Sequence, residues 1–313
     1  MAVNWGFLGA GFVASRGLAP AVHASQGANL YAVASRDQQR SATLEPERVH
    51  ASYEDLLADE KVDAVYISLA NSQHKEWVAK SLEAGKHVLC EKPLGLGAAE
   101  AVAMFDSAAH NDRLLVEAVW GRWHPRFARM VHLVSSGEIG NVEHIETAFT
   151  FSSELVDNYR LSPSMGGGAL LDVGCYQAHA WVALTRGDSE FTITHLERTI
   201  GPTGVDLTTE VRACINETTA HSLSSFVLPS HQDFTVQGSH GQISTAVGES
   251  FTTWNETSSL LVNGVLEEFP ATNAFVEMVE NVSGVISGES GWIVSSGDSI
   301  RVAAILDSIA GHP

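Results

Sequence analysis

A glycine-rich loop, Gly9-Ala10-Gly11-Phe12-Val13-Ala14, follows directly on the apolar run Val3–Leu8, and this junction constrains the chain more than any other feature. The run has the length and composition of a buried strand, and the residues after the loop open a helix. The loop is therefore G-x-G-x-x-A in the strand-turn-helix setting that a dinucleotide-binding unit requires. Gly9 allows the tight turn, Gly11 lets backbone N–H groups approach a pyrophosphate at the helix N-terminus, and Ala14 permits close packing of helix on strand. Gly9, Gly11, Phe12 and Val13 are the expected cofactor contacts. The bland alternative is a glycine-rich turn that holds no ligand.

Four more strand-like runs follow, at residues 29–34, 62–69, 87–90 and 114–118, alternating with amphipathic stretches. That alternation predicts βαβ units and a parallel sheet. Residues 74–84 read as a helix stopped by Gly85, and Ser52 with Asp55 three residues on reads as a helix N-terminus. After about Gly121 the grammar changes. A helix over residues 125–134 leads into 142–151, where Ile145, Thr147, Phe149 and Phe151 alternate with Glu146, Ala148 and Thr150. Period-two runs continue at 192–199, 208–217, 222–228, 234–238, 250–254, 259–262 and 265–269, and two helices close the chain at 273–286 and 298–309. The fold class is thus α/β: a Rossmann-type parallel-sheet domain over residues 1–120, then an α+β domain with a large open, mostly antiparallel sheet over 121–313.

The 313 residues carry 18 Lys plus Arg against 37 Asp plus Glu, a formal net charge of −19. Such a surface repels phosphate backbones and anionic lipid, so nucleic acid and membrane are excluded as partners. No stretch approaches the roughly 20 apolar residues of a spanning helix, and no basic n-region precedes Val3, so the chain reads as cytoplasmic. Cys90, Cys175 and Cys214 lie far apart, which predicts reduced thiols. The 14 histidines show no H-E-x-x-H spacing, so no metal is expected.

The end of the second strand discriminates between cofactors. An acidic residue there holds the ribose hydroxyls of NAD, whereas an arginine accommodates the 2′-phosphate of NADP. The chain reads Ser35-Arg36-Asp37. Ser35 and the planar fork of Arg36 suit a phosphate and favour NADP. Asp37 keeps NAD open, because a shift of one residue places its carboxylate on the ribose.

The run Glu91-Lys92-Pro93, together with Gly166-Gly167-Gly168-Ala169-Leu170-Leu171-Asp172-Val173-Gly174-Cys175-Tyr176, resembles the glucose-fructose oxidoreductase, inositol dehydrogenase and rhizopine-catabolism family of NAD(P)-dependent oxidoreductases. Asn71-Ser72-Gln73-His74 resembles the loop that borders the nicotinamide in that family, so the resemblance covers nearly the whole chain. It implies that Lys92 stands beside the reacting carbon, that Asp172 positions substrate hydroxyls, that Tyr176 is the acid-base residue, and that Asn71, His74, Glu91 and Lys92 border the cofactor. A tyrosine at position 176 resembles the dihydrodiol dehydrogenase-like branch, whose NADP preference agrees with Arg36. The resemblance also implies a homodimer or homotetramer through the C-terminal sheet. The stretch 38–51 is shorter than the family's usual helix after the second strand.

From the residues themselves, Asp172, Tyr176 and His179 fall on one face of a helix. Polar groups on an apolar segment cost free energy unless paired or functional. Hydride exchange at a carbinol carbon needs a proton partner for the oxygen, and a tyrosine of ordinary pKa is a slow base near neutrality. Lowering that pKa by about three units takes roughly 4 kcal/mol, comparable to two unit charges about 4 Å apart at an effective dielectric of about 20. Lys92 is the expected source of that charge, and direct proton transfer by Lys92 stays open as an alternative. Arg122 and Trp123 at the domain junction either line a sugar-sized cleft or pack the domains together, and His179 either meets substrate or fills the core. The expected function is hydride transfer between NADP and a sugar, polyol or cyclic diol. A non-catalytic NAD(P)-binding sensor or scaffold is the rival reading.

Overall fold

The structure, a computed structural model, describes residues 2–153, 158–185 and 190–312. The chain divides into two compact units, Met1–Trp120 with Asn273–Ile300, and Gly121–Thr272 with Arg301–Pro313. In the first, β1 (Val3–Leu8), β2 (Ala28–Ala34), β3 (Arg48–His50), β4 (Ala64–Ile67), β5 (His87–Glu91) and β6 (Leu115–Ala118) form one sheet in the order β3-β2-β1-β4-β5-β6. Every pairing is parallel, as the alternating pattern predicts. The strand order reverses between β1 and β4, which opens a crevice at their C-terminal ends. Helices α1 (Ala19–Ala24), α2 (Gln38–Ala42), α3 (Tyr53–Leu57), α4 (His74–Glu83) and α5 (Ala98–His110) complete the crossovers. Ser52 caps α3 by accepting from the Asp55 N–H at 3.0 Å, and α4 ends at Gly85, whose φ of 75° suits the left-handed stop expected there. After β2 only the five-residue α2 follows, in keeping with the short stretch read from the sequence.

The second unit begins with α6 (Pro125–Ser135) and β7 (Val142–Thr150). Helix α7 (Cys175–Leu184) then precedes β8 (Phe191–Ile200), β9 (Asp206–Ile215), β10 (Thr218–Ser225), β11 (His231–Gly238), β12 (Gln242–Val247), β13 (Ser258–Val262) and β14 (Val265–Phe269). The sheet order is β14-β13-β12-β11-β7-β10-β9-β8, antiparallel except where β7 meets β10. One face buries Ile145, Phe149, Val211, Phe234 and Ile243 against Trp181 and its neighbours on α7. On the other face of β7 the alternation is only partly met. Glu146 is half-buried, but Ala148 and Thr150 are buried as well, and the Thr150 hydroxyl donates to the Pro229 carbonyl at 2.6 Å in the turn after β10.

Two expectations are corrected. Residues 250–254 are not a strand. Arg126 donates to the carbonyls of Glu249 and Ser250 at 2.7 and 3.2 Å, and the Phe251 N–H goes to Gln232 Oε1, so a guanidinium and an amide side chain take the groups a ladder would use. The strand of that region is β12. Second, residues 273–300, assigned from sequence to the C-terminal domain, belong to the first unit. They comprise α8 (Ala274–Ile286) and the start of α9 (Ser296–Gly311). The physical reason is ring packing joined by hydrogen bonds. The Phe275 ring packs on Trp120 with centroids 5.2 Å apart and on the bare Cα of Gly17, the Trp5 indole donates to Ser283 Oγ at 3.1 Å, and Glu280 accepts the Gln26 N–H. No helix among the described residues is long and apolar enough to cross a membrane.

A Cβ at Gly17 would stand 2.8 Å from the Phe275 ring. Overpacking of this kind costs about 1–3 kcal/mol, against roughly 1 kcal/mol gained from helix propensity, so Gly17→Ala is expected to be net destabilising. Phe275→Ala is expected to cost about 3–5 kcal/mol. In urea unfolding, the double variant should lose less than the two single losses added together, because removing the ring removes the clash.

Candidate active site

In the first unit, the loop after β1 is shaped by a backbone contact. Gly9 has a φ of 99°, and a Cβ there would lie 2.4 Å from the Ser68 carbonyl oxygen at the end of β4, so only glycine fits. Gly11 differs: an added Cβ would meet only Ser68 Oγ, at 3.7 Å. The space beside Gly11 is open toward the helix start, as a bound diphosphate requires. Phe12 is 79% exposed, Val13 is half-buried and Ala14 is buried in a π-helical turn, Ala14–Leu18, that leads into α1.

At the end of β2 the structure separates the two cofactor readings. The Asp37 carboxylate caps α2, accepting the N–H groups of Gln39 and Arg40 at 3.0 and 3.1 Å. Ser35 Oγ donates to the Asp37 carbonyl and lies 2.8 Å from Ser41 Oγ. Arg36 is exposed, and its charge acts on the Tyr53 phenol, which burial pushes up. Asp37 is thus committed to the helix, while Arg36 faces solvent.

Lys92 is half-buried at the end of β5, joined to Pro93 by a cis peptide bond. Beneath it lies a buried polar cluster. Glu91 accepts from the Tyr66 hydroxyl at 2.6 Å and from the Lys92 N–H at 3.3 Å, and burial raises its carboxyl to about 7. Glu117 on β6, 1% exposed, accepts the Leu94 N–H at 3.0 Å. His74 is fully buried, with Nδ1 3.0 Å from the Pro93 carbonyl and Nε2 3.3 Å from the Leu69 carbonyl. Burial lowers its pKa, and a neutral ring donates from one nitrogen only, so His74 braces the Lys92-Pro93 turn from below. Asn71 is buried at the start of the same stretch.

In the second unit, the glycine run before α7 has a steric cause. A Cβ at Gly167 would lie 2.3 Å from the Arg160 carbonyl, and one at Gly168, whose φ is 116°, would lie 2.1 Å from Asp206 Oδ1. Asp206 caps the helix start by accepting the Leu170 N–H at 2.8 Å. Asp172 sits in the π-helical turn Leu170–Gly174 and is gripped by Arg160, with Nε to Oδ2 at 2.7 Å and Nη2 to Oδ1 at 3.3 Å. Arg160 lies 5.0 Å over the Tyr159 ring, and its charge is coupled to Tyr176. Sequence reading missed both Arg160 and Asp206. For Arg160 the signal was the polar turn ahead of the glycines, whereas Asp206 lies at the start of β9, after them. Tyr176 is half-buried against Phe149 and Phe251, with centroids 5.9 and 6.5 Å away. His179 is 1% exposed, inside the unit. Trp123 is buried, as is Arg122, whose guanidinium lies 5.5 Å over the Phe127 ring.

Residues 3–118 match a family model described as an oxidoreductase family with an NAD-binding Rossmann fold, and 127–244 match the GFO/IDH/MocA C-terminal domain. The chain is similar to the D-xylose 1-dehydrogenase (NADP(+)) 2 of Haloferax volcanii, at 32% identity over 97% of this chain and 95% of that one. It is 30% identical to the trans-1,2-dihydrobenzene-1,2-diol dehydrogenase of Mus musculus over 86% of this chain and 80% of the relative. Among solved structures, KijD10, a 3-ketoreductase from Actinomadura kijaniata in complex with NADP and TDP-benzene, superposes with a TM-score of 0.88 at 27% identity, covering 99% of this chain and 97% of that chain. KijD10 has also been crystallised with a lysine replaced by alanine and with a tyrosine replaced by phenylalanine, and those two positions are as far apart in its chain as Lys92 and Tyr176 are in this one. With both sheets, the open glycine loop and the lysine and tyrosine motifs in place over the matched segments, the chain belongs to the GFO/IDH/MocA family and is an NAD(P)-dependent oxidoreductase.

Proposed function

We propose that this enzyme uses NADP and exchanges hydride with a secondary alcohol or carbonyl of a sugar, polyol or cyclic diol. The observation that carries the cofactor choice is the state of Asp37. A carboxylate capping α2 is not directed at ribose hydroxyls, and the exposed Arg36 beside it offers a charge-assisted site for a 2′-phosphate. The xylose dehydrogenase and KijD10, each named with NADP, support the same choice. Sugars and diols as substrates rest on the relatives and on a paired Asp172–Arg160 unit suited to neutral hydroxyls.

NADP, when bound, supplies the hydride acceptor, and its reduced form the donor. The chain's own residues manage the oxygen and its proton. Tyr176 takes the hydroxyl proton in oxidation and returns it in reduction. The Lys92 ammonium stabilises negative charge on the oxygen and lowers the work of forming a tyrosinate, which from an ordinary pKa near 10 is about 4 kcal/mol. Asp172, held bidentate by Arg160, anchors a neighbouring substrate hydroxyl. The lysine and the tyrosine replaced in KijD10 support the assignment of Lys92 and Tyr176. Self-association through the second unit's sheet is part of the same proposal, and a monomer in sedimentation velocity at micromolar concentration would remove it.

Lys92→Met and Tyr176→Phe are each expected to lower kcat by about 10²–10⁴-fold while NADP still binds, the range for a general acid-base group. Unchanged turnover of a sugar or diol in both would refute the mechanism. Arg36→Leu is expected to weaken NADP by roughly 10–100-fold, the loss of about 1.5–3 kcal/mol from a charged hydrogen-bond partner, and to leave NAD binding nearly unchanged. Isothermal titration with both cofactors measures this. Equal weakening of the two would return the choice to NAD.

A further inference from the structure

The Asp172–Arg160 unit has more hydrogen-bonding capacity than the pairing itself uses. A guanidinium carries five N–H donors in a rigid fork. Arg160 uses two of them on Asp172, from Nε at 2.7 Å and from Nη2 at 3.3 Å. Its Nη1 has no hydrogen-bond partner among the described residues. The Arg160 side chain is 31% exposed where that of Asp172 is 8% exposed, so the fork buries the carboxylate and turns its remaining edge outward. The arginine is held firmly from behind. Its N–H goes to Asn158 Oδ1 at 3.0 Å, its carbonyl accepts the Gly168 N–H at 2.9 Å, and its guanidinium lies 5.0 Å over the Tyr159 ring. Asp172 precedes Tyr176 by four residues, one helical turn, and Arg160 and Tyr176 interact electrostatically. A substrate group held by this pair therefore lies beside the one that meets Tyr176, all within the second unit.

We propose that Arg160 is a specificity-determining residue, which together with Asp172 reads a hydroxyl on the carbon beside the reacting one and rejects an ammonium there. The inference rests on the reading that Asp172 anchors substrate and Tyr176 handles the proton, and it narrows the substrate to a vicinal diol or a hydroxy carbonyl. A hydroxyl is both donor and acceptor. It donates to the Asp172 carboxylate, whose acceptor capacity two N–H bonds do not exhaust, and it accepts from Arg160 Nη1. An ammonium only donates. It answers Asp172 but leaves Nη1 without an acceptor and sets like charge against the guanidinium. An ether oxygen only accepts, and answers Arg160 alone. Without Arg160 the same carboxylate is an unpaired negative charge, which favours a cation. Asp172 supplies the acceptor, and Arg160 decides the charge of what is accepted.

The test compares hydroxy and amino forms of one skeleton. With NADP at neutral pH, kcat/KM is measured for D-xylose against D-xylosamine, and for a vicinal trans-cyclohexanediol against the amino alcohol in which one hydroxyl is replaced by an amine. The parent is expected to prefer the hydroxy form by at least about 100-fold, since the amine meets like charge and leaves a donor unpaired. In Arg160→Met the ratio should fall to about one or invert, because the carboxylate then faces the ammonium alone. Arg160→Lys, which keeps the charge and loses the fork, should still reject the amine while losing kcat/KM on the hydroxy form. A merely structural role would lower both forms together and leave the ratio where it was. Removing Arg160 alone strands a buried carboxylate, so Arg160→Met/Asp172→Asn is the second variant, and with neither charge present its ratio should fall between those of the parent and the single variant. An unchanged hydroxyl-to-amine ratio in the folded double variant would overturn the proposal. A parent that oxidises neither D-xylose nor the cyclohexanediol would overturn instead the sugar and diol reading of the substrate, so the two failures are told apart.

Discussion

The first unit depends on one close approach, that of Gly9 to the carbonyl of Ser68. Added side-chain bulk at Gly9 would collide with backbone at 2.4 Å, so β1 and β4 can run side by side to their ends only with glycine there. Because the strand order reverses between those two strands, the contact fixes the geometry of the crevice where open parallel sheets bind ligands. Ser68 then faces both ways. Its backbone supports the loop, and its hydroxyl meets Tyr66 in the interior. The second unit uses the same device with other residues: Gly167 and Gly168 let the Arg160 turn and the Asp206 carboxylate reach the start of the helix that carries Asp172 and Tyr176. In both units the functional helix opens with a π-helical turn, a local departure that often accompanies binding sites.

Charge is handled differently in the two. The first unit buries Glu91 and Glu117 close together under Lys92 and pairs them with N–H and hydroxyl donors, so that at least one carboxyl resists ionisation. The second unit closes its buried carboxylate with a bidentate guanidinium. A neutralised pair presents donors and acceptors without net charge, whereas the carboxyl cluster keeps a reservoir that changes charge near neutrality.

Much of this was legible in the sequence, because the determining signals are local. The parallel strands, the glycine loop, the caps at Ser52 and Gly85 and the lysine and tyrosine motifs all declare themselves within a few residues. What escaped reading was set by distant contacts. Helix α5 has the composition A-A-E-A-V-A-M, whose alanines give little contrast between faces, and β3 has only three residues. Residues 250–254 alternate like a strand, but Arg126 claims the Ser250 carbonyl from 124 positions away. Arg160 pairs with Asp172 across the glycine run, and no pattern in the primary structure links a tyrosine on β4 to the glutamate before Lys92. Asp37 left NAD open in the sequence, because whether its carboxylate faces a ribose or a helix end is a question of backbone direction; in the structure it caps α2.

The return of residues 273–300 to the first unit has a consequence for how the protein is made. A ribosome delivers all six strands of the parallel sheet long before it delivers Phe275 and Ser283, so Trp5, Trp120 and Gly17 wait without their cover while the whole second sheet is synthesised. Domains of a nascent chain ordinarily mature in the order they emerge. Here the amino-terminal unit is finished nearly last, and a chain stalled before α8 leaves the nucleotide-binding unit with an open apolar flank.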